Sequence, residues 1–278
     1  MLSTARFREL HRAGDPLLLP NAWDLASARW LVEQGAEVVG TTSLGVAVAA
    51  GVEDGTGATL VDTIALSRRL TSAGITVTVD LESGFSEDPV AVAELVAELA
   101  GSGVVGVNLE DSSAEGRLVD PARFAAKVAA VAAAAPTLYL NARTDAFWVD
   151  PIPAASRAAA ATRTRETLDR AQRYLDAGAS GVFVPGSLSD GTIAVLADAL
   201  PAPLNVLAQP GRSLRELGGL GVARVSTGSL LFRAALASLG TVLEDVRRGA
   251  TPGATALAIP DYATAAALGR DTGAPSPG

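Results

Sequence analysis

Short apolar runs recur along almost the whole chain, each followed by a stretch of helical character. The runs are LLLPNAW (17–23), EVVGTTS (37–43), ITVTVDL (75–81), GVNLED (106–111), TLYLNARTD (137–145), GVFVPG (181–186), PLNVLAQ (203–209) and ARVSTG (223–228). Among the intervening stretches, TRTRETLDRAQRYLDAG opens on a Thr cap and closes on Gly, as a helix does. In DAGASGVFV, LAGSGVVGVNL and LGGLGVARVS, Gly stands where it ends a helix in the left-handed conformation before the next strand. Strands alternating with helices in this way predict a single α/β domain, a parallel (β/α)8 TIM barrel over 1–278. The alternative is an open doubly wound sheet. Where its Gly-rich phosphate fingerprint would stand, the chain reads PNAWDLAS, so a nucleotide-binding Rossmann unit is not expected. A C-terminal helical extension covers about 229–270, and the last residues, DTGAPSPG, read as a frayed tail.

Composition narrows the chemistry. With no cysteine, disulfides, thiolate metal sites and cysteine nucleophiles are excluded. A net charge of -8 argues against a nucleic-acid partner, which needs clustered Lys and Arg. The N-terminus has no apolar signal region and no apolar run reaches a membrane span, so a soluble, cytoplasmic protein with no membrane partner is expected. Lys127 is the one lysine and His11 the one histidine; His11, in an N-terminal helix, is expected at the surface.

In a barrel enzyme the chemistry sits at the C-terminal ends of the strands. The third run ends in Asp80-Leu81-Glu82, and strand alternation puts Asp80 and Glu82 on one side. Two carboxylates pointing together repel unless a cation lies between them, although Glu82 has the alternative of leaving the strand and being solvated. The fourth run ends in Asn108-Leu109-Glu110-Asp111, with Asn108 and Glu110 sharing a face and Asp111 expected as a cap. In the fifth, Asn141, Arg143 and Asp145 share a face, and an Arg there must find a carboxylate or an anionic substrate. Hard carboxylate oxygens at Asp80, Glu82 and Glu110 suit Mg²⁺ or Mn²⁺, and Mg²⁺ commonly keeps waters beside one or two protein ligands. Trp23 and Trp148 are pocket walls or core; Asn205 is a ligand contact or a satisfied core amide.

From about Leu17 to Tyr262 the chain resembles the isocitrate lyase/phosphoenolpyruvate mutase superfamily. The resemblance is carried by VDLESGF, GVNLEDS and NARTDA, in order and each at a strand end, and by PNAWDLASA, Thr42-Ser43-Leu44 and Asp54 in GVEDG. It implies a barrel whose eighth helix is swapped between subunits of a homodimer or homotetramer, Mg²⁺ on the acidic cluster, and 2-oxo or 2-hydroxy acid substrates passing through an enolate. Carried over by position, Asp80 is the most direct metal ligand, with Glu82 and Glu110 direct or through water, and Asp54 holds a metal-bound water. Thr42, Ser43 and Leu44 bind the substrate carboxylate largely through backbone N–H groups, and Arg143 neutralises the developing oxyanion or the second acidic group.

The departures from that pattern discriminate between activities. Glu82 replaces the family's usual Asp, and Ser86 a Gly. The lyases' catalytic Cys is missing, the corresponding loop is only Ser112–Asp120, and the phosphonomutases' loop Asn and later His (Pro185 here) are missing too. Decarboxylation of a 3-carboxy-2-oxo acid needs neither a base nor an acid at the bond-breaking step. The expectation is therefore a Mg²⁺-dependent lyase or decarboxylase acting on an oxaloacetate-like 2-oxo dicarboxylic acid through a metal-stabilised enolate. The alternatives are a phosphonopyruvate or carboxyphosphonoenolpyruvate enzyme working on a P–C bond, with Arg117 serving the phosphonate, or a barrel that binds a small acid without turning it over.

Overall fold

A computed structural model describes residues 1–149, 157–250 and 259–270. The strands are β1 (Leu17–Leu19), β2 (Asn21–Ala22), β3 (Val39–Thr41), β4 (Val77–Asp80), β5 (Gly106–Glu110), β6 (Tyr139–Arg143), β7 (Gly181–Val184), β8 (Leu204–Leu207) and β9 (Arg224–Ser226). Each lies inside one of the apolar runs of the sequence. All pair in parallel, β2 through β9 in chain order, with β1 on the far side of β9. β1 and β2 are one barrel strand divided at Pro20, which has no N–H to give a ladder. The first piece pairs with β9 and the second with β3, so the ring closes. Asn21 locks the seam: its Oδ1 accepts from Thr227 N (3.0 Å) and Gly228 N (2.9 Å), and its Nδ2 donates to Thr41 O (2.7 Å).

The helices are α1 (Thr4–Glu9), α2 (Leu25–Glu33), α3 (Ser43–Ala50), α4 (Leu60–Ser72), α5 (Pro89–Gly101), α6 (Pro121–Ala134), α7 (Arg157–Asp176), α8 (Asp190–Ala199), α9 (Leu214–Gly219), α10 (Leu230–Arg247) and α11 (Tyr262–Ala267). Side-chain caps start many of them; Asp88 and Asp120, each before a Pro at the first helical position, accept from Val90 N and Ala122 N. The outward strand residues Val79, Val107, Leu109 and Leu140 pack against Val92, Val96, Phe124 and Val128 of α5 and α6 in one apolar layer. The alternate residues face inward and are largely polar: Thr78, Asp80, Asn108, Asn141, Arg143, Asn205, Arg224 and Ser226.

α1 plugs the N-terminal end of the barrel. Phe7 meets Tyr139 edge-on at 5.4 Å, and His11 stacks on the same ring at 4.0 Å. Glycine makes this possible: a Cβ on Gly106 would stand 2.8 Å from Phe7 Cε1, and one on Gly181 would collide with the Tyr139 hydroxyl. His11 is therefore buried rather than at the surface, because the imidazole completes an aromatic stack. α10 behaves differently from the other helices. It buries Phe232, against Trp23 at 5.2 Å, and Asp245, but leaves Leu236, Leu239, Leu243 and Val246 exposed. The expected C-terminal extension is described at 229–250 and 259–270; its middle, 251–258, and the expected tail, 271–278, lie outside the described residues. Among the described residues no helix is long and apolar enough to cross a membrane.

Burial, with a smaller contribution from Arg224, pushes the His11 imidazole down to about 3, although its Nδ1 donates to Phe7 O at 2.9 Å. Below the ordinary histidine value near 6.5 the unfolded chain takes up a proton that the folded chain refuses. The stability contributed by neutral His11 is thus complete above pH 6.5 and is lost as pH falls toward 3. Urea titrations should show His11→Phe with a flatter acid limb than wild type, which loses up to about 1.4 kcal/mol per pH unit from this group. Parallel limbs for the two proteins would contradict the account.

Candidate active site

The C-terminal rim of the barrel gathers the strand-end acids. Asp80 closes β4 and donates its backbone N–H to Thr41 Oγ1 at 2.9 Å, while its Oδ1 is buried with no partner among the described residues. Asp54, in the loop after α3, likewise holds a buried, unpartnered Oδ1. The chain then turns sharply through Glu82, Gly84 and Phe85, all at positive φ (51°, 97° and 60°). Gly84 is required twice, by its φ and because a Cβ would stand 2.8 Å from Val92 Cγ1. The turn faces Glu82 away from solvent. Its Oε1 accepts from Thr59 Oγ1 at 2.6 Å and its Oε2 from Gly57 N at 3.0 Å, which ties the Asp54 loop to the Asp80 loop. Lys127, buried on α6, donates from Nζ to Ser83 O and Glu87 Oε1, both at 3.1 Å, and clamps the same turn from outside.

Arg143 organises the next two strand ends. Nη1 meets Glu110 Oε2 at 2.6 Å, Nε meets Asp145 Oδ1 at 2.6 Å, and Nη2 meets Asp145 Oδ2 at 2.9 Å. The rings of Trp148 and Phe183 flank the guanidinium at 5.9 and 5.7 Å. Ser112 Oγ stands 2.8 Å from Asp145 Oδ2 and 3.1 Å from Glu110 Oε1, so its one proton serves either acid. Asp111 is no simple cap. It is fully buried, accepts from Asp145 N (2.8 Å), Tyr174 Oη (2.6 Å) and Arg170 Nη1 (3.2 Å), and so anchors the β6 end to α7. The Ser112–Asp120 loop closes on itself through Ser113 N to Arg117 O (2.8 Å) and Val119 N to Asp111 O (2.9 Å).

Burial is the largest influence on the acids. It pushes Asp80 up to about 6, opposed by Arg143 and reinforced by Asp54, Glu82 and Asp145. Burial also pushes Glu110 up, against the pull of Arg143 and with Asp145 and Asp80 adding to it. Arg143 is held firmly charged by Asp145 and Glu110 despite its own burial.

The sequence-derived residues thus fall in three places. Asp80, Glu82, Glu110, Asp54 and Arg143 converge on one rim, while Thr42, Ser43 and Leu44 open α3 beside it. The Thr42 N–H is already used by Ala22 O at 3.1 Å, leaving the first-turn N–H groups of Ser43 and Leu44, which have no intrahelical partner. Asn205 lies deeper, on the inner face of β8, with Oδ1 accepting from Ser226 Oγ at 3.4 Å and Nδ2 unpartnered. Among the described residues no three carboxylates converge on one point, because those of Glu82 and Glu110 are already engaged. The unpartnered oxygens of Asp80 and Asp54 fit a hard divalent cation with one or two protein ligands and several waters. From the sequence Asp111 reads as a cap, and Ser112 and Lys127 carry no role. The one lysine in an Arg-rich chain was the available signal for Lys127; nothing local marks Asp111 as an anchor for α7.

Comparison with known proteins agrees with the parallel barrel fold. Residues 7–247 match the phosphoenolpyruvate phosphomutase family, and the chain belongs to that family. An uncharacterised protein of Mycobacterium tuberculosis is 44% identical over 230 residues, 83% of this chain and 84% of the relative. A solved phosphonomutase-like protein of Burkholderia cenocepacia is 39% identical, with a TM-score of 0.80 over 87% of this chain and 99% of the other. Two more distant structures share the fold over 96–97% of this chain. Phosphonopyruvate hydrolase with oxalate and Mg²⁺ is 20% identical (TM-score 0.80, 95% of that chain), and oxaloacetate acetylhydrolase with 3,3-difluorooxalacetate is 22% identical (0.79, 92%).

If Asp80 is the direct ligand, Asp80→Asn should keep the fold and lose Mg²⁺ affinity by at least the roughly 10–100-fold that an outer partner costs. Calorimetric titration of Mg²⁺ with oxalate present reads this out; equal affinity in variant and wild type would remove the metal site.

Proposed function

We propose that the protein is a Mg²⁺- or Mn²⁺-dependent carbon–carbon lyase, a decarboxylase of a small, oxaloacetate-like 2-oxo dicarboxylic acid. The observation that carries this reading is what the rim lacks beside what it has. The chain has no thiol, its one imidazole is stacked on Tyr139 at the opposite end of the barrel, and Ser112 is the loop side chain bonded to the acids. That leaves a site of acids around one arginine, with no thiol or imidazole at the rim, and decarboxylation is the reaction in this class that asks least of it.

In this reading Asp80 and Asp54 would hold the divalent ion, while Glu82 ties together the two loops that carry them and Glu110 stays bonded to Arg143. The ion supplies Lewis-acid polarisation of the substrate's keto group. The Ser43 and Leu44 N–H groups at the start of α3 bind the substrate carboxylate. Arg143 keeps hydrogens on Nη1 and Nη2 beyond those given to Glu110 and Asp145, and it offsets the negative charge that develops as CO2 leaves. Water protonates the product. The second reading is P–C bond chemistry, favoured by the 39% identical phosphonomutase-like relative and by the family match. Exposed Arg117, at the loop tip, is the residue to serve a phosphonate there. For the assembly we propose a homodimer or homotetramer in which a second copy covers the exposed Leu236–Leu239–Leu243–Val246 stripe of α10.

Purified protein with Mg²⁺ should consume oxaloacetate above the blank containing the same free Mg²⁺, and Arg143→Gln should lower kcat/KM by about 10²–10³-fold. Turnover of phosphonopyruvate instead selects the second reading, and turnover of neither leaves a barrel that only binds small acids. Light scattering at micromolar concentration should give at least the dimer mass, and Leu239→Glu with Leu243→Glu should reduce it; a wild-type monomer contradicts the assembly.

A further inference from the structure

Beneath the rim acids lies a second polar cluster that the proposed reaction does not use. Arg224, on the inner face of β9, is 0% exposed. Its Nη2 donates to Asn108 Oδ1 at 3.0 Å, and the same oxygen accepts from Asn141 Nδ2 at 3.0 Å. Nε and Nη1 of Arg224 have no partner among the described residues, and neither do Asn141 Oδ1, Asn205 Nδ2, Thr78 Oγ1 and Tyr139 Oη around them. Among the described residues no carboxylate is hydrogen-bonded to the guanidinium. Burying a cation without a bonded anion costs several kcal/mol, and the inside of such a barrel is ordinarily filled by branched apolar side chains. A residue placed against both rules needs a reason other than stability.

The strand register supplies the reason. Asn108, which Arg224 grips, is the ladder partner of Asp80 on one side and of Asn141 on the other. The guanidinium therefore ends beside the strand end that carries the unpartnered Asp80 oxygen, near enough for the two charges to act on each other. Around it stand Asp54, Asp80, Glu82, Glu110 and Asp145, with Arg143 the one rim cation among the described residues and itself engaged by two of them. Arg224 is the other cation facing that excess of acid. Unlike Arg143, it has no carboxylate bonded to it.

We propose that Arg224 is a positioning residue of the active site: gripping Asn108 beside Asp80, its uncompensated charge restrains how tightly the rim acids hold a divalent cation and favours the added negative charge of an enolate-like ligand. The inference rests on the proposed metal reading. It makes two effects of opposite sign, because one fixed positive charge repels Mg²⁺ and attracts an anion. A residue that only filled space would weaken both together when removed.

The test uses calorimetry on the full-length protein, with Mg²⁺ alone and then oxalate at saturating Mg²⁺. Arg224→Gln, which keeps an amide to meet Asn108, should bind Mg²⁺ about threefold to tenfold more tightly and oxalate more weakly by a similar factor. Arg224→Lys, which keeps the charge, should stay within about twofold of wild type for both. Parallel weakening of both ligands, wild-type behaviour of the Gln variant, a Lys variant that follows the Gln variant, or thermal melts showing that neither variant folds would each overturn the assignment. Wild-type protein that binds no Mg²⁺ would sink the metal reading and this inference together, whereas wild-type binding with unresponsive variants sinks the inference alone.

Discussion

The site depends on one arginine held between two acids. Arg143 reaches Glu110 and Asp145 at 2.6 Å each, in a place where neither partner is well hydrated. A buried ion pair of this kind is weak evidence for stability, but removing one partner leaves an uncompensated charge that costs about 3–5 kcal/mol. The cluster therefore behaves as a unit. Asp145 can hold Arg143 only because Asp111 holds the Asp145 N–H, and Asp111 stands where it does because Tyr174 and Arg170 of α7 bond to it. A rigid helix outside the barrel thus sets the direction of a guanidinium inside the rim.

Such a polar centre is tolerable because the apolar layer lies elsewhere. Parallel strands covered by helices usually read as continuous apolar runs. Here Val79, Val107, Leu109, Leu140 and Val206 face outward to the helices, while Asp80, Asn108, Asn141 and Asn205 face in. The hydrophobic drive for folding comes from the strand–helix interface, which frees the barrel's interior for side chains chosen by chemistry. At the far end the aromatic plug of Phe7, His11 and Tyr139 seals that interior from water. The acids at the rim therefore titrate from a surrounding poorer in water than a surface cleft, which is why burial outweighs every neighbour in raising Asp80 and Glu110.

This division explains what the sequence discloses. The strands were legible because apolar runs alternate with helical stretches, several of which end on Gly. The two rim acids Asp80 and Glu110, and Arg143 beside them, were legible because period-two alternation places them on the inner face at strand ends. His11 was not, since nothing in HRAGD indicates that a ring 128 residues later, Tyr139, will stack on it. Asp111 was misjudged as a cap because its partners, Arg170 and Tyr174, come from the following βα unit. Contacts that close through sequence separations of this size are decided by barrel geometry, and local pattern carries no trace of them.

Glu82 shows how the same geometry turns an ordinary substitution into a change of task. On a regular strand it would share the inner face with Asp80. The turn through positive φ at Glu82, Gly84 and Phe85 instead swings its carboxylate to Thr59 and Gly57. Such a conformation costs a non-glycine residue of the order of 1 kcal/mol and persists only where its surroundings over-determine it. Here they do so from two sides, through the bonds to the Asp54 loop and through Lys127 on the Ser83 carbonyl. A glutamate is long enough to span to Thr59 Oγ1 at 2.6 Å from that backbone. The residue that replaces the family's usual Asp thereby joins the two loops carrying Asp54 and Asp80, and the spacing between their unpartnered oxygens is fixed by a bond that neither of them makes.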